Sequence, residues 1–113
     1  MKDYLFIFRR DYDTLAAYAP GEMTDITQKF MDWLTGLADQ GKLTARGNRL
    51  ETSGRVVREG NVITNGPYMD IKEIVGGYSI IKAASYEDAT EVAKTCPVQS
   101  AGGNVEIREI SIL

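Results

Sequence analysis

With 113 residues, 43% hydrophobic and 26% charged, the chain has the size and balance of one globular domain spanning 1–113, large enough to hold a core without staples. A formal charge of −3 with acids and bases intermixed argues against a nucleic-acid partner, because Arg9-Arg10 and the stretch from Arg46 to Arg58 are diluted by Asp11, Asp13, Glu51 and Glu59 and phosphate binding needs clustered cations. A single cysteine, Cys96, and no histidine exclude an internal disulfide, Cys-rich zinc sites and the usual neutral-pH proton carrier; with no apolar run of roughly 18 residues and no signal-peptide pattern at the start, a cytoplasmic protein without a membrane partner is expected.

Taken in chain order, Lys2 to Arg10 reads as a strand with Tyr4, Phe6 and Phe8 on one face and Leu5 and Ile7 on the other. From about Pro20 to Gln40, Met23, Ile26, Phe30, Trp33, Leu34 and Leu37 recur at three- and four-residue steps and predict an amphipathic helix. Pro20 suits its first turn, Glu22 and Asp25 suit its positive end, and Gly41 suits a left-handed stop. Leu43 to Glu51 is weakly patterned, with a bend at Gly47-Asn48. Arg55–Arg58 and Val62–Thr64 flank Glu59-Gly60-Asn61 as a short hairpin, ended by Asn65-Gly66-Pro67. Gly77 to Ala84 reads as a second strong strand. Ser85 then caps a helix with Asp88 three positions on, its buried stripe formed by Ala89, Val92, Ala93 and Cys96 and its end set by Pro97. A turn at Ala101–Asn104 leads to a last strand from Val105.

Two strand–helix–strand halves predict an α+β fold, a ferredoxin-like split βαβ sandwich with an antiparallel sheet and two helices on one face. The first and third strands would be central, and both are apolar on both faces. Two helices clad one face only. The apolar remainder predicts a homodimer through the open face, forming a dimeric α/β barrel; the alternative is that the segment from Gly47 to Ile74 folds back over it.

Gly66-Pro67-Tyr68, Lys72-Glu73, Gly76-Gly77-Tyr78 and the following "IIKAASYEDATEVAKTCP" resemble the YCII-related domain family, in its Asp-Gly-Pro-Phe branch. "LADQGKL", "GNRLE" and "GGNVEIREI" extend the resemblance over nearly the whole chain. It implies a ferredoxin-like fold that dimerises into an α/β barrel, with a cleft between subunits near the signature loop. It also implies the company that some members keep with extracytoplasmic-function sigma factors, and a link to transcription initiation. The signature Asp is Asn65 here and its Phe is Tyr68. The His–Asp pair proposed as catalytic in related proteins has no histidine to supply it.

The candidate ligand-binding residues are therefore Asn65, Gly66, Pro67, Tyr68, Lys72 and Tyr78. Turn chemistry alone also accounts for Asn65-Gly66-Pro67. Without histidine, acid–base work would fall to a carboxylate, lysine or tyrosine of shifted pKa, which makes Asp70, Lys72 and Glu73 the catalytic candidates, against the simpler reading of a solvated loop. Gly76 and Gly77 permit close approach of another backbone or a ligand. Arg9-Arg10 reads as a solubilising strand end, with contact to an anionic ligand as the alternative. Cys96 reads as packing. No metal-ligand spacing stands out, and neither a metal nor a cofactor is expected. The leading reading is a ligand-binding or regulatory homodimer. The second is a small enzyme of proton-transfer or lactone chemistry using carboxylate, lysine or tyrosine groups, and the third a protein-interaction module tied to transcription.

Overall fold

The alternating run at the start of the chain forms β1 (Lys2–Arg10) in the computed structural model, which describes residues 1–10, 20–67 and 73–113. The three- and four-residue stripe forms α1 (Pro20–Asp39). Gly41 follows at φ 72°, the left-handed stop that its missing Cβ allows. The remaining elements are β2 (Leu43–Ala45), β3 (Arg55–Arg58), β4 (Val62–Asn65), β5 (Ile74–Ala83), α2 (Tyr86–Lys94) and β6 (Gly103–Glu109).

The main sheet runs β2-β5-β1-β6 with every neighbouring pair antiparallel. This is the ferredoxin-like order, with β1 and β5 central. Two details depart from the sequence expectation. The edge strand beside β5 is Leu43–Ala45, inside the segment that lacks a pattern, while the hairpin β3–β4 forms a separate two-stranded sheet. Three residues carry too little alternation to register as a strand. They become one because β5 offers them a ladder. β5 also begins at Ile74 rather than Gly77, crossing a glycine pair of poor strand propensity.

The core lies between the sheet and the two helices. Tyr4, Phe6 and Phe8 of β1 and Ile81 and Ala83 of β5 are buried against Leu37 of α1 and Ala89, Val92 and Ala93 of α2, with Cys96 beyond its end. Phe8 meets Phe30 edge-on at 4.9 Å between ring centroids, a favoured aromatic arrangement. Trp33 Nε1 donates to Thr95 Oγ1 at 2.8 Å, tying α1 to the end of α2.

Ser85 caps α2 as its position predicts, its Oγ accepting from the Asp88 amide at 3.2 Å. The Asp88 carboxylate reaches back one residue further than a regular capping box, accepting from the Ala84 amide at 2.9 Å. Ser85→Ala is expected to cost about 1 kcal/mol of stability, read as a lower urea midpoint with an unchanged m-value. A midpoint equal to wild type would show that Asp88 alone holds the helix start.

On the other face of the sheet, Leu5 pairs with Ile80 and Ile7 with Tyr78 across β1 and β5. All four are only half-buried. Beside them β6 sets Arg108 against Leu5 and Glu106 against Ile7. The result is an apolar band with a charged border. The hairpin's own apolar residues, Val57, Val62 and Ile63, are exposed.

Candidate functional site

Strand alternation sends the two arginines at the end of β1 to opposite faces. Arg9 lies on the open face, where its Nε meets Glu106 Oε1 at 2.9 Å and its Nη1 donates to the Glu73 carbonyl at 3.0 Å. Arg10 continues the Tyr4–Phe6–Phe8 row onto the helix side. There it enters a cleft of about 250 Å³ between α1, the end of β1, the start of β5 and the chain segment from Arg46 to Arg49.

The apolar wall of the cleft comes from Ile26, Phe30, Met31 and Leu34, consecutive turns of the α1 stripe, with Phe8 at its base. The polar side carries Arg10, Arg46 and Arg49. Arg46 donates through Nη2 to Thr35 Oγ1 at 3.1 Å, and Arg49 through Nη2 to Thr27 Oγ1 at 3.1 Å. Both acceptors are neutral hydroxyls two helical turns apart. Among the described residues, none of the three arginines forms an ion pair, in contrast to Arg9 and Arg108. The Arg10 Nε is buried without a hydrogen-bond partner among the described residues. Burial, and then the positive charge of Arg49, push the Arg10 guanidinium below its ordinary pKa. A cation held this way gains from any anion that reaches it.

Glycine makes the cleft possible. The segment from Arg46 to Leu50 runs against β5: the Tyr78 amide donates to Asn48 O at 3.2 Å, the Leu50 amide to Gly76 O at 2.9 Å, and Ser79 Oγ to Arg46 O at 2.7 Å. At Gly77 a Cβ would stand 2.9 Å from Asn48 O, so the approaching group there is backbone. At Gly76 a Cβ would fall 2.6 Å from Arg10 Nε, so here the approaching group is a side chain. Gly76 sits where the β1–β5 register shifts between Phe8 and Arg9.

Of the residues singled out in the sequence, Arg10, Gly76 and Tyr78 border the cleft, Tyr78 from a strand position whose pairing with Ile7 sets its side chain on the open face. Asn65 pairs with Arg55 at the base of the hairpin and is exposed. Gly66 has φ 84° and donates its amide to Gly54 O at 2.8 Å, and the Pro67 ring lies against Gly54. These three form the neck of the hairpin and are not among the lining residues. Glu73 is exposed, with its carbonyl on Arg9. Tyr68, Asp70 and Lys72 lie outside the described residues. Arg10 reads first as a solubilising strand end, with contact to an anionic ligand as the alternative; Arg46 and Arg49 are the residues that motif reasoning passes over. The parity of Arg10 with Tyr4, Phe6 and Phe8 was a legible signal; the placement of Arg46 and Arg49 was not.

Among the described residues no group of three or more acidic or cysteine side chains is gathered as metal ligands would be, and no helix is long and apolar enough to cross a membrane. Cys96 is 4% exposed. Burial pushes its thiol from 9.0 up to about 11, against a smaller opposing hydrogen bond from the Val98 backbone. The unfolded chain then loses this proton near pH 9 while the folded chain keeps it. Stability from this group is complete below pH 9 and is lost as the pH rises towards 11, by about 3 kcal/mol at full effect. Urea unfolding at pH 8 and pH 10.5 should show a steeper loss for wild type than for Cys96→Ala. Equal slopes would place the thiol in water.

The family model of the YCII-related domain matches residues 4–112. A comparison with curated proteins returns no match. Among solved structures, the chain is similar to 5-chloro-2-hydroxyhydroquinone dehydrochlorinase (TftG) from Burkholderia phenoliruptrix AC1100, in complex with 2,5-dihydroxybenzoquinone. Sequence identity is 20%, coverage is 91% of this chain and 90% of that one, and the TM-score is 0.43.

Proposed function

The chain belongs to the YCII-related domain family, and from that premise and the geometry of the cleft we propose that it is a cytoplasmic, homodimeric protein that binds a small molecule between α1 and the sheet. The observation that carries this reading is the cleft itself: an apolar wall facing three arginines, one with a buried donor left unpaired among the described residues. Concave apolar sites with a few convergent polar groups are where small ligands bind. Among the described residues the lining contains no carboxylate, and the chain contains no histidine. This favours binding over proton-transfer catalysis, which needs a base within reach of the substrate. The homodimer is supported by the half-buried band of Leu5, Ile7, Tyr78 and Ile80, which the two helices leave uncovered. The transcription-initiation context implied by the family resemblance fits a ligand-responsive regulator better than a catalyst.

The test is amide chemical-shift mapping against a panel of small charged and neutral ring compounds. Shifts should concentrate between Ile26 and Leu34 and between Arg46 and Arg49. A panel that leaves those two segments unmoved at millimolar concentration would refute a ligand site here.

A further inference from the structure

We propose that the cleft selects a monocarboxylate on a short apolar body, a single ring or an aliphatic chain of similar bulk, with the carboxylate on Arg10 and the body against Phe30, Met31 and Leu34. This inference rests on the reading of the cleft as a ligand site and assigns the chemistry of its ligand.

Three features carry it. The first is the division of labour among the cations. Arg46 and Arg49 each spend a donor on a threonine of α1, which fixes their side chains. Arg10 keeps its Nε–H buried and unpaired among the described residues, a costly state unless an acceptor arrives. The Nε–H and the adjacent Nη–H of a guanidinium form a planar fork that matches the two oxygens of a carboxylate. The second is the opposite wall. Ile26, Phe30, Met31 and Leu34 offer a ligand no hydrogen-bonding side chain. A sugar phosphate would strand its hydroxyls against them, whereas a ring or short chain would bury apolar surface. The third is size. At about 250 Å³ the space falls below the range of about 300–1,000 Å³ that takes drug-sized ligands.

Gly76 is a positioning residue in this scheme. Because a Cβ there would come within 2.6 Å of Arg10 Nε, glycine lets the guanidinium settle against the β5 backbone at the edge of the cleft. Alanine at this position would push the fork aside without altering its charge.

The experiment compares benzoate, its uncharged isostere benzamide, and inorganic phosphate, by chemical-shift titration of wild type, Arg10→Gln and Gly76→Ala. Wild type should bind benzoate about 10- to 100-fold more tightly than benzamide, the range expected for a charge-assisted pair. Arg10→Gln should abolish that preference while still binding benzamide, and Gly76→Ala should reduce the preference several-fold. Hexanoate in place of benzoate should behave alike. Equal binding of benzoate and benzamide by wild type, or a preference that survives Arg10→Gln, overturns the carboxylate assignment and leaves the small-molecule reading standing. Phosphate binding as tight as benzoate also overturns it, since the site would then be a general anion trap. If no probe shifts the α1 or Arg46–Arg49 amides, both the assignment and the ligand-site reading fall.

Discussion

Gly47→Ala is expected to destabilise the protein by about 3 kcal/mol or more, a large share of the marginal stability of a small domain. Two costs combine. Gly47 has φ 70°, and an L-residue there costs roughly 1–2 kcal/mol. Its Cβ would also lie 1.8 Å from the Tyr78 carbonyl oxygen, which is backbone and cannot swing away. The segment from Arg46 to Leu50 must then lift off β5. That movement endangers the hydrogen bonds from the Tyr78 amide to Asn48, from Leu50 to Gly76 and from Ser79 to Arg46, each worth about 1 kcal/mol. Gly60→Ala is the internal control. Gly60 has a similar φ of 77°, but a Cβ there meets nothing within 4 Å, so only the conformational cost of roughly 1–2 kcal/mol remains. Urea unfolding of the two variants should therefore separate sterics from backbone preference. Similar losses for both would show that the segment yields freely. The same lift-off would carry Arg46 and Arg49 away from the cleft, so any surviving folded Gly47→Ala should also lose ligand-induced shifts.

Ile80→Lys is expected to convert a dimer into a monomer. The wild-type particle should scatter as 25 kDa, twice the chain mass of 12.5 kDa, and the variant as 12.5 kDa. Ile80 sits in the middle of the open face, directly opposite Leu5 and next to the Ile7–Tyr78 pair. A two-fold interface places each substitution twice. Burying an unpaired polar group costs about 2 kcal/mol by mutational measures, so two lysines should weaken association roughly 1,000-fold. The fold itself should persist, because the side chain points away from the core and Lys82 already occupies the same face two residues on. Circular dichroism checks this. A wild type that scatters as 12.5 kDa at high concentration, or an Ile80→Lys dimer of undiminished affinity, would be incompatible with a sheet-to-sheet dimer.

The two predictions bear on different parts of the molecule, and they differ in how far the sequence anticipates them. The open face is legible from alternation alone. Leu5 and Ile7 are apolar between Tyr4, Phe6 and Phe8, and a strand has just two faces. The Gly47 contact is not legible. Asn48 and Gly77 are some thirty residues apart in the chain, and nothing local to "RGNRL" announces that its backbone will lie on β5. What motif reasoning found instead was the turn Asn65-Gly66-Pro67, whose residues are distinctive for a local reason, left-handed backbone and fixed φ, and form the neck of a hairpin.

The sequence by itself determined the long elements and their buried faces: β1, α1, β5 and α2 have periods of two or 3.6 residues that persist for several turns or pleats, and the Ser85 cap and Gly41 stop are set by a few adjacent atoms. Tertiary structure alone decided that Leu43–Ala45 is an edge strand, that β5 extends back through Gly76 to Ile74, and that Arg10, Arg46 and Arg49 meet in one cleft. Periodicity reports which side of an element avoids water. It carries no information about which distant backbone supplies a ladder or which three cations share a wall, because those depend on the register of strands that are neighbours only after the chain has folded.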